Sequence, residues 1–428
     1  MPCASADLGK WNSDLESRTD MNIVLFEDGR VEQLYPITLS RPAYAVTCGS
    51  MRLLDLAEQL GGTTLGKVRA YLSEMQQDYF VQSPPAQSTP TLWLNARLVP
   101  DSEFLDVLRS LVEQDEPFCA EVDGCVAVAL TPSDVTYDTE LPAGEVPDFL
   151  SGLGLPTNDL GFRLFDLPHS VIAEHQKIAK RNVEFRANSG AYQRVQEGVF
   201  VSGDASIHEM VAFDTESGPI VIEDGAKLQS FTVLRGPVYI GRDTTISSHA
   251  LLKGPISIGH TCKIGGEVSS TIIESLSNKS HFGYLGTSYV GSWVNLGAGT
   301  SNSNLKNTYG TVRVEYESGK CDTGMQFLGC VIGDYTKSAI QTAIFTGKII
   351  GVCSNVYGTV TKNVPSFANY AKSLGEVTEH SAEVMEVTQK RVFDRRGLEQ
   401  LDRHRRLIRA MYAIESPKRK LANKPPTL

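Results

Sequence analysis

The chain lacks any apolar run close to the roughly 20 residues that a membrane-spanning helix needs. It lacks the apolar core of an export signal too, since residues 1–20, MPCASADLGKWNSDLESRTD, are polar. These residues read as an extension ahead of Met21, which is an alternative initiator. Positive charge is not in excess: 40 Lys and Arg face 50 Asp and Glu, for a net charge of −10. That speaks against nucleic-acid binding and removes any pull toward anionic membranes. Eight cysteines form no Cys-x-x-Cys pair, which argues for reduced, mostly buried thiols in a cytoplasmic protein. No zinc site is expected, because His249, His260 and His281 show no ligand spacing.

What is present is periodicity. Gly218-Pro219-Ile220-Val221-Ile222 returns as Gly236-Pro237-Val238-Tyr239-Ile240, and again, at the same interval, as Gly254-Pro255-Ile256-Ser257-Ile258. Within that interval runs a beat of six: Ile222, Leu228, Leu234, Ile240, Ile246, Leu252, Ile258 and Ile264 are all aliphatic. Six residues make a short strand and a corner, and three of each make one coil of a parallel β-helix. The fourth position after each aliphatic is compact (Ala226, Thr232, Val238, Thr244, Ala250, Ile256, Cys262) and fits a narrow triangular interior. The intervening residues are expected to face water.

A second register follows at Tyr284, Val290 and Leu296, and resumes at Ile332, Ile344, Ile350 and Val356. Its offset from the first predicts an insertion that leaves the coil after Ile264. Residues 305–326 predict another excursion, with Ser318-Gly319 as its turn.

Ahead of the repeats the pattern is α/β. Strands are expected at Asn22–Phe26, Lys67–Leu72 and Leu92–Leu98, and as a pair around Asp123-Gly124. Helices are expected at Met51–Leu60, from Asp101 to about Glu113, and at His169–Arg186. After Pro365 a helical pattern runs from Glu376 to about Ile414, ending in a basic stretch that suits a packing arm or a polyphosphate-binding face. The chain thus divides into the extension (1–20), an α/β domain with its linking helix (21–185), a β-helix (186–370) and a helical basic tail (371–428).

One segment is dense in Gly, Asn, Ser and Thr: His281-Phe282-Gly283-Tyr284-Leu285-Gly286, then Val294-Asn295-Leu296-Gly297-Ala298-Gly299-Thr300, then Asn304. This order resembles the acetyltransferase half of the bifunctional bacterial N-acetylglucosamine-1-phosphate uridyltransferase/glucosamine-1-phosphate acetyltransferase family. Gly333 to Gly358 is similar to a divergent branch of that family described as sugar nucleotidyltransferases. The resemblance implies a nucleotidyltransferase-like α/β domain, a left-handed β-helix of hexapeptide repeats and a homotrimer. It implies His281 as general base, Lys253, Tyr284, Asn295 and Asn304 as ligands of the amino-sugar phosphate, and Ala298 as a backbone contact to acetyl-CoA. A histidine suits the role because its ordinary pKa lies near neutrality.

The departures are specific. The family's second phosphate cation falls in Val268-Ser269-Ser270-Thr271 and is missing, at a cost of about 1–3 kcal/mol of binding. In the N-terminal half the run Leu34-Tyr35-Pro36-Ile37-Thr38-Leu39-Ser40-Arg41-Pro42 is similar to the family's. The glycine loop that cradles phosphate is reduced to Gly29, Ala43 replaces a lysine, and Asn95 stands where a metal-binding aspartate is expected. Gly29, Arg30 and Arg41 are the candidate nucleotide-phosphate ligands, and nucleotidyl transfer would call for an NTP and Mg²⁺. The expected function is CoA-dependent N-acetyl transfer to an amino-sugar phosphate, nucleotidyl transfer to a sugar-1-phosphate, or both. The alternative is a non-catalytic sugar-nucleotide sensor or trimeric scaffold.

Overall fold

The computed structural model describes residues 21–80, 86, 89–136, 138–372 and 376–418. The polar extension and the Pro425-Pro426 end lie outside them. Five strands form the first sheet: β1 (Asn22–Phe26), β2 (Thr63–Lys67), β3 (Thr91–Asn95), β4 (Phe118–Val122) and β5 (Cys125–Thr131). Their order is β2-β1-β3-β5-β4, with β1 parallel to both neighbours and β5 antiparallel to β3. β1 is buried along its whole length, as a parallel strand covered on both faces must be. Helices α1 (Leu53–Leu60), α2 (Glu103–Gln114), α3 (Val146–Gly152) and α4 (Pro168–Ala187) flank the sheet.

The strand expected at Lys67–Leu72 is corrected. It lies earlier, at Thr63–Lys67, and Ala70–Asp78 is a 3-10 helix. Arg69 turns the chain out of the sheet: its backbone N–H and its Nε both donate to Glu27, at 2.8 and 2.9 Å.

From Val199 the chain winds into a three-faced prism. Strands one coil apart pair in parallel, as in Ile220↔Val238↔Ile256. Ile222, Ile240 and Ile258 line the interior beneath the first face, Leu228, Ile246 and Ile264 beneath the second, and Leu234, Leu252 and Val268 beneath the third; all are fully buried. The compact residues Ala226, Thr232, Thr244, Ala250 and Cys262 are buried with them.

No excursion interrupts the coil after Ile264. The coils shorten instead. Ser257 pairs with Ile272 and Lys263 with Asn278, each partner arriving earlier than the full repeat would bring it, and Glu267 pairs with Tyr284 after a smaller trim. The slip is a trimming of corners. It also moves the inward position of the third face to Leu285, so Tyr284 faces out. The later excursion is a hairpin, Arg313–Tyr316 with Gly319–Asp322, after which the coil resumes at Tyr289↔Val331.

Outward residues of the first face do not meet water. Val221, Tyr239, Ile272 and Tyr289 are buried, the last two in one core with the α/β domain. His175 of α4 joins the two bodies. Its Nδ1 accepts from the Gly49 N–H at 3.0 Å and its Nε2 donates to the Pro255 carbonyl at 3.1 Å.

The single C-terminal helix is corrected as well. Glu376–Glu379 is a strand antiparallel to Ala368–Ala371, followed by α5 (Ala382–Asp394) and α6 (Asp402–Glu415). Gly397, at φ +68°, lies between the two helices. Several of the basic residues have protein partners: Arg403 pairs with Asp78, Arg396 donates to the carbonyls of Thr261 and Leu276, and Arg406 pairs with Glu74 at the surface.

Candidate functional site

Most of the residues singled out in the β-helix come together along one edge of the prism, between its second and third faces. His281 stands on the corner that joins Asn278–Lys279 to Tyr284–Gly286. Its side chain is exposed and makes no hydrogen bond to the described residues. Ala298 occupies the same corner one coil on, and its carbonyl accepts from the Gln341 N–H at 2.7 Å. Ala298 donates no hydrogen bond of its own among the described residues, which leaves an amide for an incoming acceptor.

Tyr284 and Asn304 meet on the third face. Asn304 Nδ2 donates to the Tyr284 phenol oxygen at 2.9 Å and to Thr287 Oγ1 at 3.0 Å. Burial raises the Tyr284 phenol pKa, with Lys253 opposing and Glu267 adding to it. Lys253 is ion-paired to Glu267. Asn295 lies on the second face, exposed, and accepts from Asn278 Nδ2 at 3.4 Å. Sequence reasoning missed Glu267 and Thr287; Glu267 precedes the motif that carries the resemblance, and Thr287 falls in the spacer between its two halves.

The edge narrows at this point. Gly266, Gly283 and Gly299 take its left-handed positions, where Met210, Phe231 and His249 stand in earlier coils. Gly283, at φ +124°, has no room for a side chain, since a Cβ there would lie 2.1 Å from the Thr300 carbonyl oxygen.

The N-terminal candidates are not brought together. Gly29 opens a 3-10 helix capped by Asp28, whose carboxylate accepts from the Arg30 N–H at 3.1 Å. Arg30 itself reaches the Asp123 carbonyl at 3.3 Å. Asp28 is buried and paired with Arg97 at 2.6 Å, and the Asn95 amide donates to it at 2.8 Å. Burial works against that charge, but Arg97 and Asn95 outweigh it and hold the carboxyl below its ordinary range. Asp28 and Asn95 therefore do not fit Mg²⁺: the carboxylate is already neutralised and the amide presents its donor. Among the described residues no three His, Cys, Asp or Glu are grouped to hold a metal.

Arg41 reaches across to the outer side of the prism. It pairs with Glu274 at 3.0 Å and Asp334 at 2.7 Å and donates to Ser292 at 2.9 Å, while its Nε has no partner. It lines a cleft of about 920 Å³ between the α/β domain, the prism and the C-terminal helices. Arg52, Glu58, Arg242, His260 and Trp293 line it too. Glu58 is pushed up to about 7 by burial and by Asp55, and His260 down to about 4 by burial, Arg242 and Arg52. This cleft follows the edge between the first and second faces, so it is separate from the His281 edge.

Residues 23–189 match the family model described as sugar nucleotidyl transferase. This part of the chain is a nucleotidyltransferase-like α/β domain. A bifunctional sugar-1-phosphate nucleotidylyltransferase/acetyltransferase from Sulfurisphaera tokodaii is 33% identical over 158 residues, which are 36% of this chain and 39% of that protein. The chain thus covers well under two thirds of that relative's length. Two solved acyltransferases align with the chain. One is the Francisella novicida UDP-N-acetylglucosamine acyltransferase, at 14% identity, 46% of this chain, 74% of that one and a TM-score of 0.26. The other is a point mutant of AntD, an N-acyltransferase from Bacillus cereus, in complex with dTDP and coenzyme A, at 13%, 45%, 88% and 0.19. Among the described residues no helix is long and apolar enough to cross a membrane.

Proposed function

We propose that the His281 edge transfers an acetyl group from acetyl-CoA to the amine of an amino-sugar phosphate. One observation carries the reading: the Tyr284–Asn304 pair, an unpartnered imidazole and an undonated Ala298 amide share one edge of the prism. His281 takes a proton from the sugar ammonium. The free amine attacks the thioester carbonyl, and the Ala298 N–H receives the oxyanion that forms. The new C–N bond leaves the nitrogen with one proton too many, which passes to water. The C–S bond then breaks, and the leaving thiolate takes the proton from His281. Lys253 can turn from Glu267 to the sugar phosphate. Incubation of acetyl-CoA with glucosamine-1-phosphate should release free thiol; no release with any amino-sugar phosphate overturns the reading.

The acting species is a homotrimer in this proposal. Met210, Phe231, Phe282 and Ile340 are 70, 53, 62 and 71% exposed along the edge that carries His281, an apolar ridge that a second copy would cover. Light scattering should give three times 46.7 kDa; a single chain's mass contradicts it.

The family match over residues 23–189 favours a second activity, nucleotidyl transfer to a sugar-1-phosphate. The Asp28–Arg97 pair disfavours phosphate at Gly29, so the cleft that holds Arg41 is its better location. Pyrophosphate release from an NTP and sugar-1-phosphate tests it. Thermal stabilisation by ligands without turnover of either kind would favour the sensor reading.

A further inference from the structure

Lys279 occupies a position that belongs to an aliphatic. Its register partner in the coil below is Ile264, which pairs in turn with Ile246, and Leu296 follows in the coil above. The side chain is 3% exposed. Its Nζ crosses the interior to the corner and donates to the Gly265 carbonyl at 2.8 Å and to the His281 carbonyl at 3.0 Å. Burial lowers its pKa to about 8, and Glu267 offsets this in part. An unbranched apolar chain would fill the column without that penalty.

The same corner is also tied to the next coil, where the Gly299 N–H donates to the Phe282 carbonyl at 3.0 Å. His281 and Phe282 are exposed, and Gly283 offers no side chain. At His281 itself the main chain is held from within, by the Lys279 Nζ on its carbonyl. Asn302 does the equivalent for the next strand: it is buried in the third-face column, its Oδ1 accepts from the Gly286 N–H at 2.8 Å, and its Nδ2 donates to the Gly286 carbonyl at 3.0 Å.

We propose that Lys279 is a positioning residue for His281, holding from inside the prism the corner from which the imidazole projects. Its role in turnover rests on the acyl-transfer reading; its hold on the corner does not. The test uses the full chain with Lys279→Met and Lys279→Ala, read by acetyl transfer and by amide hydrogen exchange. Displacing the base by a fraction of an ångström should lower kcat of Lys279→Met about 10–100-fold with little change in KM. Amides of residues 280–284 should exchange at least about 10-fold faster, while those of Ile220–Ile258 hold their rates. Propylammonium should restore part of the activity and protection to Lys279→Ala, and tetramethylammonium, which has no N–H, should not. If Lys279→Met keeps both kcat and corner exchange within about twofold, the proposal is overturned. A wild-type protein with no acyl transfer defeats the acyltransferase reading alone, because exchange at the corner still decides whether Lys279 holds it.

Discussion

The coils from Gly218 to Ile264 and those from Gly265 to Asn304 share three faces and one parallel register, yet they use their side chains differently. In the first set the inward strand positions are aliphatic with compact Thr232, Thr244 and Cys262 between them, the coil length is constant, and the His281-bearing edge carries Phe231 stacked on His249. In the second set the coils shorten, glycines bare the edge, and Lys279 and Asn302 enter the columns. The uniform coils supply cohesion through apolar burial. The trimmed coils give some of it up to place polar groups beneath a corner. A repeat can tolerate this in one stretch because each coil rests only on its neighbours.

The contrast is tested most strongly at His281. His281→Ala should lower acetyl transfer about 10²–10⁴-fold. An exposed side chain without partners should cost under about 0.5 kcal/mol of stability, read from a denaturant midpoint. The converse holds at Leu252, fully buried in a uniform coil. Leu252→Ala should cost about 2–5 kcal/mol of stability and leave the KM for acetyl-CoA unchanged in the fraction that remains folded. If Leu252→Ala silenced turnover while fully folded, the division between the two sets of coils would fail.

The uniform coils were legible in the sequence because each inward residue packs on its counterpart one coil away, so the packing is written directly as period. The trimmed coils were not. Shortening a coil shifts the phase of the repeat just as inserting the remainder of a coil would, and the phase alone does not tell the two apart. The same slip hid Lys279, whose inward position is evident only once Lys263 is paired with Asn278. Arg41 escaped for another reason. An arginine in a Pro-flanked loop suits a phosphate or a carboxylate equally, and its carboxylates, Glu274 and Asp334, lie far along the chain in the prism. The motif at 281–304 was legible because its members are close in sequence and the coil stacks them on one edge.

The uniform coils also anchor the α/β domain, and that anchor should titrate. His175 is fully buried and burial lowers its pKa from 6.5 to about 4. Below pH 6.5 the unfolded chain takes up a proton that the folded histidine refuses until about 4, so stability falls with pH across that window. The loss from this group reaches about 2 kcal/mol at pH 5. His260 acts in the same sense. His175→Gln should show a shallower decline of denaturant midpoint between pH 6.5 and 4; an unchanged slope would mean that the link to Pro255 does not couple to folding.

The smallest effect separates binding from support within the trimmed coils. Asn304 donates to Tyr284 and Thr287, so it can act on the sugar directly or by fixing the phenol. Asn304→Ala should raise the KM for the amino-sugar phosphate about 5–20-fold, equivalent to about 1–2 kcal/mol, with kcat nearly constant, since the contact serves the bound substrate as much as the transition state. Tyr284→Phe should give a similar loss. If the two side chains act as one unit, the double variant should lose less than the sum of the singles, with a coupling of about 1 kcal/mol. Strict additivity would mean that Asn304 and Tyr284 meet the substrate independently and that their 2.9 Å hydrogen bond contributes nothing to recognition.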